Sequence, residues 1–434
     1  MSRMKNPDPS QHIEMRVEPL RAQADLKIDI QLSSLAPYQE VTVTANTWDD
    51  NGMLWRSTAT FQANAQGIVR PATQRPLKGT YQQNDPMGLI WSMYPSNDKQ
   101  NLTLFVKKDI EPVNIYFKAE TADYTSNGII HTRTFLEQGV RQEPVEEEGL
   151  IGTLYAPEAG GPYPGIILLS GSSGVSRDQE AALLATHGYN ALALTYFGVS
   201  PLPINLQEIP LEYFKRAIDW LRSRSSVQQT QIALLGLSKG AEAALLVAAT
   251  YPDVNAVIAY APSAFVHQGL GATAEDSRER SSWTYRGKQL PFIPYRPTAA
   301  FQEYITKQRQ AGLPVAFRRA YMESLQNQPY LPPATIAVEK IRGPILIISG
   351  QDDQMWPSTL FGEMIDEQLS KYQYPYLHQH ISYANAGHKI GYPYMPTTIN
   401  QARGNAYGGT PAGNAYATEH SWQAVLAFLK RIFS

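Results

Sequence analysis

Three residues in the second half of the chain have the types, and stand in the order, that serine-dependent acyl chemistry uses. Gly236-Leu237-Ser238-Lys239-Gly240 is a G-x-S-x-G pentapeptide. Thr230 to Leu235 before it reads as a strand, and Ala241 to Ala249 after it is rich in helix formers, so the serine falls on a strand-to-helix turn. On such a turn the backbone is strained, the flanking glycines leave room for neighbouring chain, and the hydroxyl projects above the sheet at the positive end of a helix. A serine hydroxyl is a poor nucleophile until a base takes its proton, and an acid has to orient that base. In the fold that carries this turn, the order along the chain is serine, acid, histidine.

A strand predicted at Ile345 to Ile348 ends in Ser349-Gly350-Gln351-Asp352-Asp353, which sets two carboxylates at the carboxyl edge of a sheet, where open α/β sheets build their sites. Asp353 is taken as the acid, because it falls three residues after the glycine of this turn; Asp352 reads as a loop carboxylate bonding nearby amides. Four histidines follow: His378, His380, His388 and His420. His388 stands in a loop of small residues, Ala384-Asn385-Ala386-Gly387-His388-Lys389, after a strand predicted at Tyr376 to Tyr383, and suits a base that reaches across to the serine. His378 and His380 share one face of that strand but lack an evident third ligand, so no metal site is expected. His420 reads as exposed on the C-terminal helix.

Attack on a carbonyl makes its oxygen an anion, and losing one backbone amide aimed at it costs ~3 to 4 kcal/mol. The Lys239 amide, directly after the nucleophile, is one candidate donor. The second is expected from Ser170-Gly171-Ser172-Ser173-Gly174 after an earlier strand, through the amide of Ser173 or Ser172. That loop lacks the G-x-G-x-x-G and G-x-x-x-x-G-K spacings, so no nucleotide or redox cofactor is implied.

To meet, these residues need a sheet whose strands all end on one edge. The rhythm supplies it. Beyond about residue 143, apolar runs at Ile166 to Leu169, Ala191 to Thr195, Gln231 to Leu235, Ala256 to Tyr260 and Ile345 to Ile348 alternate with helical segments at Asp178 to His187 and Leu211 to Arg222. The second helix sets Leu211, Phe214, Ile218 and Leu221 on one face. This alternation predicts a doubly wound, mostly parallel α/β sheet over residues 143–434. Residues 263–339 interrupt it as a polar, Pro- and aromatic-rich insertion with two predicted helices that could cover a site. Residues 1–142 differ. Short alternating runs (Leu26, Ile28 and Ile30; Val41, Val43 and Ala45; Leu102, Leu104 and Val106; Val113, Ile115 and Phe117), separated by turn residues, predict an all-β sandwich. The domain boundary is placed at the acidic stretch Gln142 to Glu148. Asp85-Pro86-Met87-Gly88-Leu89-Ile90-Trp91 is the most distinctive string in the β domain.

Composition narrows the function classes. The 37 Lys and Arg residues nearly balance the 39 Asp and Glu, with no basic stripe, so nucleic acid is not an expected partner. The chain has no cysteine, which excludes disulfides, thiolate metal sites and a cysteine nucleophile. Met1 to Glu14 mixes charges without an apolar run, and no stretch approaches bilayer length, so a cytoplasmic chain without a membrane span is expected. The Asn101-Leu102-Thr103 sequon reads as a chance match.

Several ordered strings resemble the acyl-CoA thioesterase and bile acid-CoA:amino acid N-acyltransferase family, especially its bacterial members. They are Asp85 to Met93, Ala182 to Ala185, Gly188 to Leu194, Gly236 to Glu242, Gly350 to Ser358, Gly387-His388 and Gly408 to Ala415. The resemblance covers nearly the whole chain. It implies an N-terminal immunoglobulin-like sandwich, a C-terminal α/β-hydrolase, acyl-CoA substrates and a triad falling on Ser238, Asp353 and His388. Members that conjugate acyl groups to amino acids use a cysteine nucleophile, so a serine chain is expected to hydrolyse. The alternatives with the same triad are transfer to an acceptor and hydrolysis of oxygen esters or carrier-bound chains. In one departure, the family often has Glu-x-Arg where this chain reads Asp178-Gln179-Glu180, which removes an expected basic contact.

Overall fold

In the computed structural model, residues 13–96, 103–326 and 328–433 are described. The chain forms two compact units, Met1–Leu136 with Tyr392–Asn400, and Glu137–Gly391 with Gln401–Ser434.

The first unit is built on period-2 burial. Val113–Glu120 alternates buried and exposed at every residue, so one face of its sheet is apolar and the other is solvated. Its main sheet runs Arg21–Gln23, Ile129–Thr134, Val113–Glu120, Glu40–Trp48, Leu54–Gln62 and Lys78–Gly79, with Tyr94–Pro95 also on Leu54–Gln62. A two-stranded ribbon pairs Glu14–Glu18 with Asp29–Ser33. The run expected around Leu104 is not a strand: residues 103–108 form no regular element, and the Val106 carbonyl instead accepts the Asp50 amide (2.9 Å) while Lys107 pairs with Asp50 (2.9 Å). Leu102, and with it Asn101 of the sequon, lies outside the described residues. The Asp85 string folds on itself. Asp85 accepts from the Met87 amide and from Trp91 Nε1, each at 2.8 Å, at the head of the buried helix Gly88–Trp91. The Trp91 carbonyl then receives Thr397 of the returning segment (2.9 Å).

The second unit holds an eight-stranded sheet ordered Val140–Val145, Ile151–Pro157, Asn190–Thr195, Tyr163–Leu169, Val227–Leu237, Ala256–Tyr260, Ile345–Gly350 and His378–Tyr383. The first two junctions are antiparallel and the rest parallel. Central strands such as Ala256–Tyr260 and Ile345–Gly350 are buried at every position, as a sheet covered on both faces requires. The helix Leu211–Ser223 turns its Leu211, Phe214, Ile218 and Leu221 face inward.

Two further expectations need correction. The 142/143 boundary falls inside the edge strand Val140–Val145, because the acidic, Pro-containing stretch is a polar strand pairing with Ile151–Pro157 rather than a linker. Among the described residues the 263–339 insertion carries four α-helices, not two: Ala274–Glu279, Ala299–Gln310, Arg318–Ser324 and Leu331–Ala334. It also supplies Trp283–Tyr285 and Lys288–Gln289 to a small sheet with Ile209–Pro210. The short helices escape a periodicity reading because each spans two turns or fewer, except Ala299–Gln310, which Thr298 caps through the Phe301 amide. No helix among the described residues is long and apolar enough to cross a membrane.

Candidate active site

Ser238 sits between the strand Val227–Leu237 and the helix Lys239–Thr250 at φ 57°, ψ −119°, a region that costs a non-glycine residue of order 1–3 kcal/mol. Its neighbours impose that geometry. A Cβ at Gly236 would run into the Gly240 carbonyl, and one at Gly240 into the carbonyls of Leu169 and Ser170, so both pentapeptide glycines are close-approach positions. The Ser238 amide donates to Tyr260 O (2.8 Å), while its carbonyl takes the Ala241 and Glu242 amides and starts the helix.

Asp353 and His388 meet. Nδ1 of His388 lies 2.8 Å from Oδ2 of Asp353, with both side chains buried. Asp353 is held rigidly, since Oδ1 accepts the Met355 and Trp356 amides (2.9 and 3.2 Å) and Oδ2 also accepts the Ser358 hydroxyl (2.7 Å). With Nδ1–H committed to the carboxylate, Nε2 is left as the basic nitrogen. The ring lies edge-on to Trp356 (6.0 Å between centroids) and stacks on Tyr407 (6.3 Å). Its loop is tied down by bonds from the His388 amide to Tyr407 O (2.8 Å) and from the Gly387 amide to Asn414 Oδ1 (2.9 Å). Asp352 accepts the Gly409 amide (2.8 Å), the backbone-bonding part expected of it. Among the described residues no hydrogen bond joins the Ser238 hydroxyl to the imidazole; in serine–histidine pairs this bond often tightens only when substrate binds.

The Ser170 to Gly174 loop turns tightly, with the Gly174 amide on Gly171 O (3.1 Å) and Ser172 and Ser173 at the centre. Gly171 lies against the serine: its Cβ position is 3.4 Å from Ser238 Cβ and 4.0 Å from Oγ. Both central serines are exposed.

The other three histidines that follow the acid bond elsewhere. His380 Nε2 is 2.8 Å from Ser349 Oγ, His378 is 3.6 Å from Asp366, and exposed His420 pairs through Nδ1 with Tyr383 (2.8 Å). Basic groups are not lost where the family pattern departs. Buried Arg177 pairs with Glu180 (3.0 Å), and Lys389, pushed down by burial and by Arg177 and Arg403, stands half-buried nearby.

Sequence reasoning missed what lies beneath the elbow. The Lys239 side chain turns inward onto Glu242, which Trp283 and the His267 amide also reach. The only sequence signal was an i, i+3 Lys–Glu pair in a helix that is otherwise small and apolar. Gly408, Gly409 and Asn414, which the sequence offers only as part of a family string, brace the histidine loop.

Comparison with known proteins agrees with this architecture. Residues 25–147 match the family described as acyl-CoA thioester hydrolase/BAAT N-terminal region, and residues 209–434 match BAAT / acyl-CoA thioester hydrolase C terminal. The chain is 30% identical to acyl-coenzyme A thioesterase 2, mitochondrial, of Mus musculus, over 94% of this chain and 86% of that protein. It is 31% identical to acyl-coenzyme A thioesterase 6 of the same organism, over 96% of each. It is also 31% identical to acyl-coenzyme A amino acid N-acyltransferase 1 of Mus musculus, over 96% of this chain and 97% of that protein. An α/β-hydrolase enzyme by its sheet and its elbow, the chain belongs to the acyl-CoA thioester hydrolase/BAAT family.

Proposed function

We propose that the protein hydrolyses acyl-CoA thioesters to the free acid and CoA, with Ser238 as nucleophile, His388 as base and Asp353 as the acid that orients it. The observation that carries this reading is a strained serine at one strand end and an imidazole–carboxylate pair, 2.8 Å apart, on the same edge of the sheet. Ser238 Oγ attacks the thioester carbon as His388 Nε2 takes its proton. The carbonyl electron pair moves onto oxygen, facing the Lys239 amide and that of Ser172 or Ser173. Return of the pair expels the CoA sulfur, which takes the proton from His388. Water then repeats the attack on the acyl-serine, giving its proton to His388, and Ser238 leaves with that proton restored.

Hydrolysis rather than conjugation is supported by the absence of cysteine from all 434 residues, since the conjugating members of the family use that nucleophile. Transfer to an amine remains the second reading, because an N-acyltransferase is as similar to the chain as the thioesterases are. Thiol release and acyl products, followed from acyl-CoAs of graded length with and without glycine, separate the two. Free acid formed at the same rate in both conditions supports hydrolysis; an acylglycine as the main product overturns it. Loss of all release in Ser238→Ala assigns the nucleophile, and full release from that variant removes the serine mechanism.

A further inference from the structure

The residue after the nucleophile does more than lend its amide. Its side chain is 6% exposed, and Nζ lies 2.9 Å from both carboxylate oxygens of Glu242, which has no exposed surface. Glu242 also accepts Trp283 Nε1 (2.8 Å) and the His267 amide (3.1 Å), while Lys239 Nζ reaches His267 O (3.4 Å) and stands 5.8 Å from the centre of the Trp283 ring. One carboxylate therefore ties the first turn of the helix behind Ser238 to two residues of the 263–339 insertion. The fully buried Trp283 ring packs 6.0 Å from Tyr196, whose hydroxyl donates to Ser170 O (2.5 Å), at the root of the Gly171 to Gly174 turn. The supports of both candidate oxyanion donors, the Lys239 amide and the Ser172 or Ser173 amide, thus converge on a single buried cluster.

Stability does not account for such a pair. Removing two charges from water costs about what their attraction returns, and apolar residues of similar volume usually serve a core as well or better. What the pair supplies is direction. Bidentate contact with a carboxylate that is itself held by two further donors leaves the Lys239 side chain one arrangement, and with it the backbone unit that carries the amide. An amide a fraction of an ångström off its line to the oxyanion loses much of its value.

We propose that Glu242, with Trp283, is a positioning residue for the oxyanion site, acting through Lys239 on one donor and through Tyr196 on the other. The proposal rests on the serine mechanism above. It predicts a selective defect: transition-state stabilisation falls and ground-state binding does not.

The test compares wild type, Glu242→Gln, the double variant Lys239→Met with Glu242→Leu, and Trp283→Phe. The double variant removes both buried charges together, and Trp283→Phe keeps an aromatic ring while deleting one donor, so a failure of Glu242→Gln to fold does not end the test. For each folded variant, three quantities are measured on an acyl-CoA that wild type cleaves in a Ser238-dependent way: kcat, KM, and the affinity of an acyl trifluoromethyl ketone, whose serine adduct carries an oxyanion. The expected result for the double variant is a kcat lower by roughly 30- to 100-fold, short of the roughly 10²- to 10³-fold that removing one donor outright costs. KM should stay within about threefold, and ketone affinity should fall in step with kcat. Trp283→Phe should show the same pattern at smaller size. A folded double variant with wild-type kcat, or a kcat loss without loss of ketone affinity, overturns the positioning role. Wild-type cleavage that survives Ser238→Ala would instead overturn the serine mechanism, so the two failures are distinct.

Discussion

The two units bury charge in different ways. In the β-rich unit the fully buried Arg133 guanidinium donates to the Ala24 and Leu26 carbonyls and faces the Tyr394 ring, and His131 Nδ1 lies 2.8 Å from Pro19 O. These two side chains answer backbone and hold loops to a sheet, although the buried Lys107 side chain of the same unit pairs with Asp50 (2.9 Å). In the α/β unit the buried polar groups answer one another, as Asp353 with His388 and Lys239 with Glu242 do, and they gather at strand ends around a residue held at φ 57°. A buried charge tied to carbonyls stabilises; buried charges paired with each other beside a strained backbone can change protonation or hold a geometry during a reaction.

If this contrast is right, Ser238→Ala should lower thiol release at least about 10⁴-fold while leaving the thermal midpoint nearly unchanged. A large fall in the midpoint would mean that the serine is structural. Asp353→Asn should cost about 10²- to 10⁴-fold in kcat by fixing the wrong ring tautomer, whereas Asp352→Asn, which only weakens the bond to the Gly409 amide, should cost less than about tenfold. Equal losses would erase the distinction drawn between the two carboxylates. Gly240→Ala drives a methyl into two backbone carbonyls and should destabilise the α/β unit by roughly 3 kcal/mol, seen in denaturant unfolding. In the β-rich unit, Arg133→Met leaves the Ala24 and Leu26 carbonyls without that donor and should cost about 3 kcal/mol of unfolding free energy.

A further effect concerns pH. Burial, helped by Arg133, pushes His131 down to about 4 from an ordinary value near 6.5. Between those values the unfolded chain binds a proton that the fold refuses, so stability is at its full value above pH 6.5 and declines as the pH falls toward 4. Replacing His131 with Gln should flatten that part of the stability profile. An unchanged slope would show that other groups set it.

Much of this was legible because the local code and the tertiary demand coincide. Period-2 burial in Val113–Glu120 and continuous apolar runs in the parallel strands report directly which faces are covered. G-x-S-x-G reports a turn that only small flanking residues permit. Asp353 stood out by its distance to Gly350, and His388 by its loop of small residues. What was illegible depends on contacts between distant segments. A polar strand looks like a linker until its partner Ile151–Pro157 is known, and helices of one or two turns in the insertion carry too few residues for a period to emerge. Residues 392–400 belong with the β-rich unit though they follow the α/β sheet in sequence, because Thr397 bonds a carbonyl three hundred positions earlier, a pairing that no window along the chain contains.

By itself, then, the amino-acid order determined the fold class and the elbow, and it offered Ser238, Asp353 and His388 as candidates, since turn sterics and burial periodicity are properties of near neighbours. Tertiary structure alone decided that Lys239 faces inward onto Glu242, that Trp283 from the insertion completes their cluster, and that Gly409 and Asn414 brace the histidine loop. The physical reason is that a buried charge is defined by the partners which remove it from water, and those partners come from segments the chain brings together only on folding.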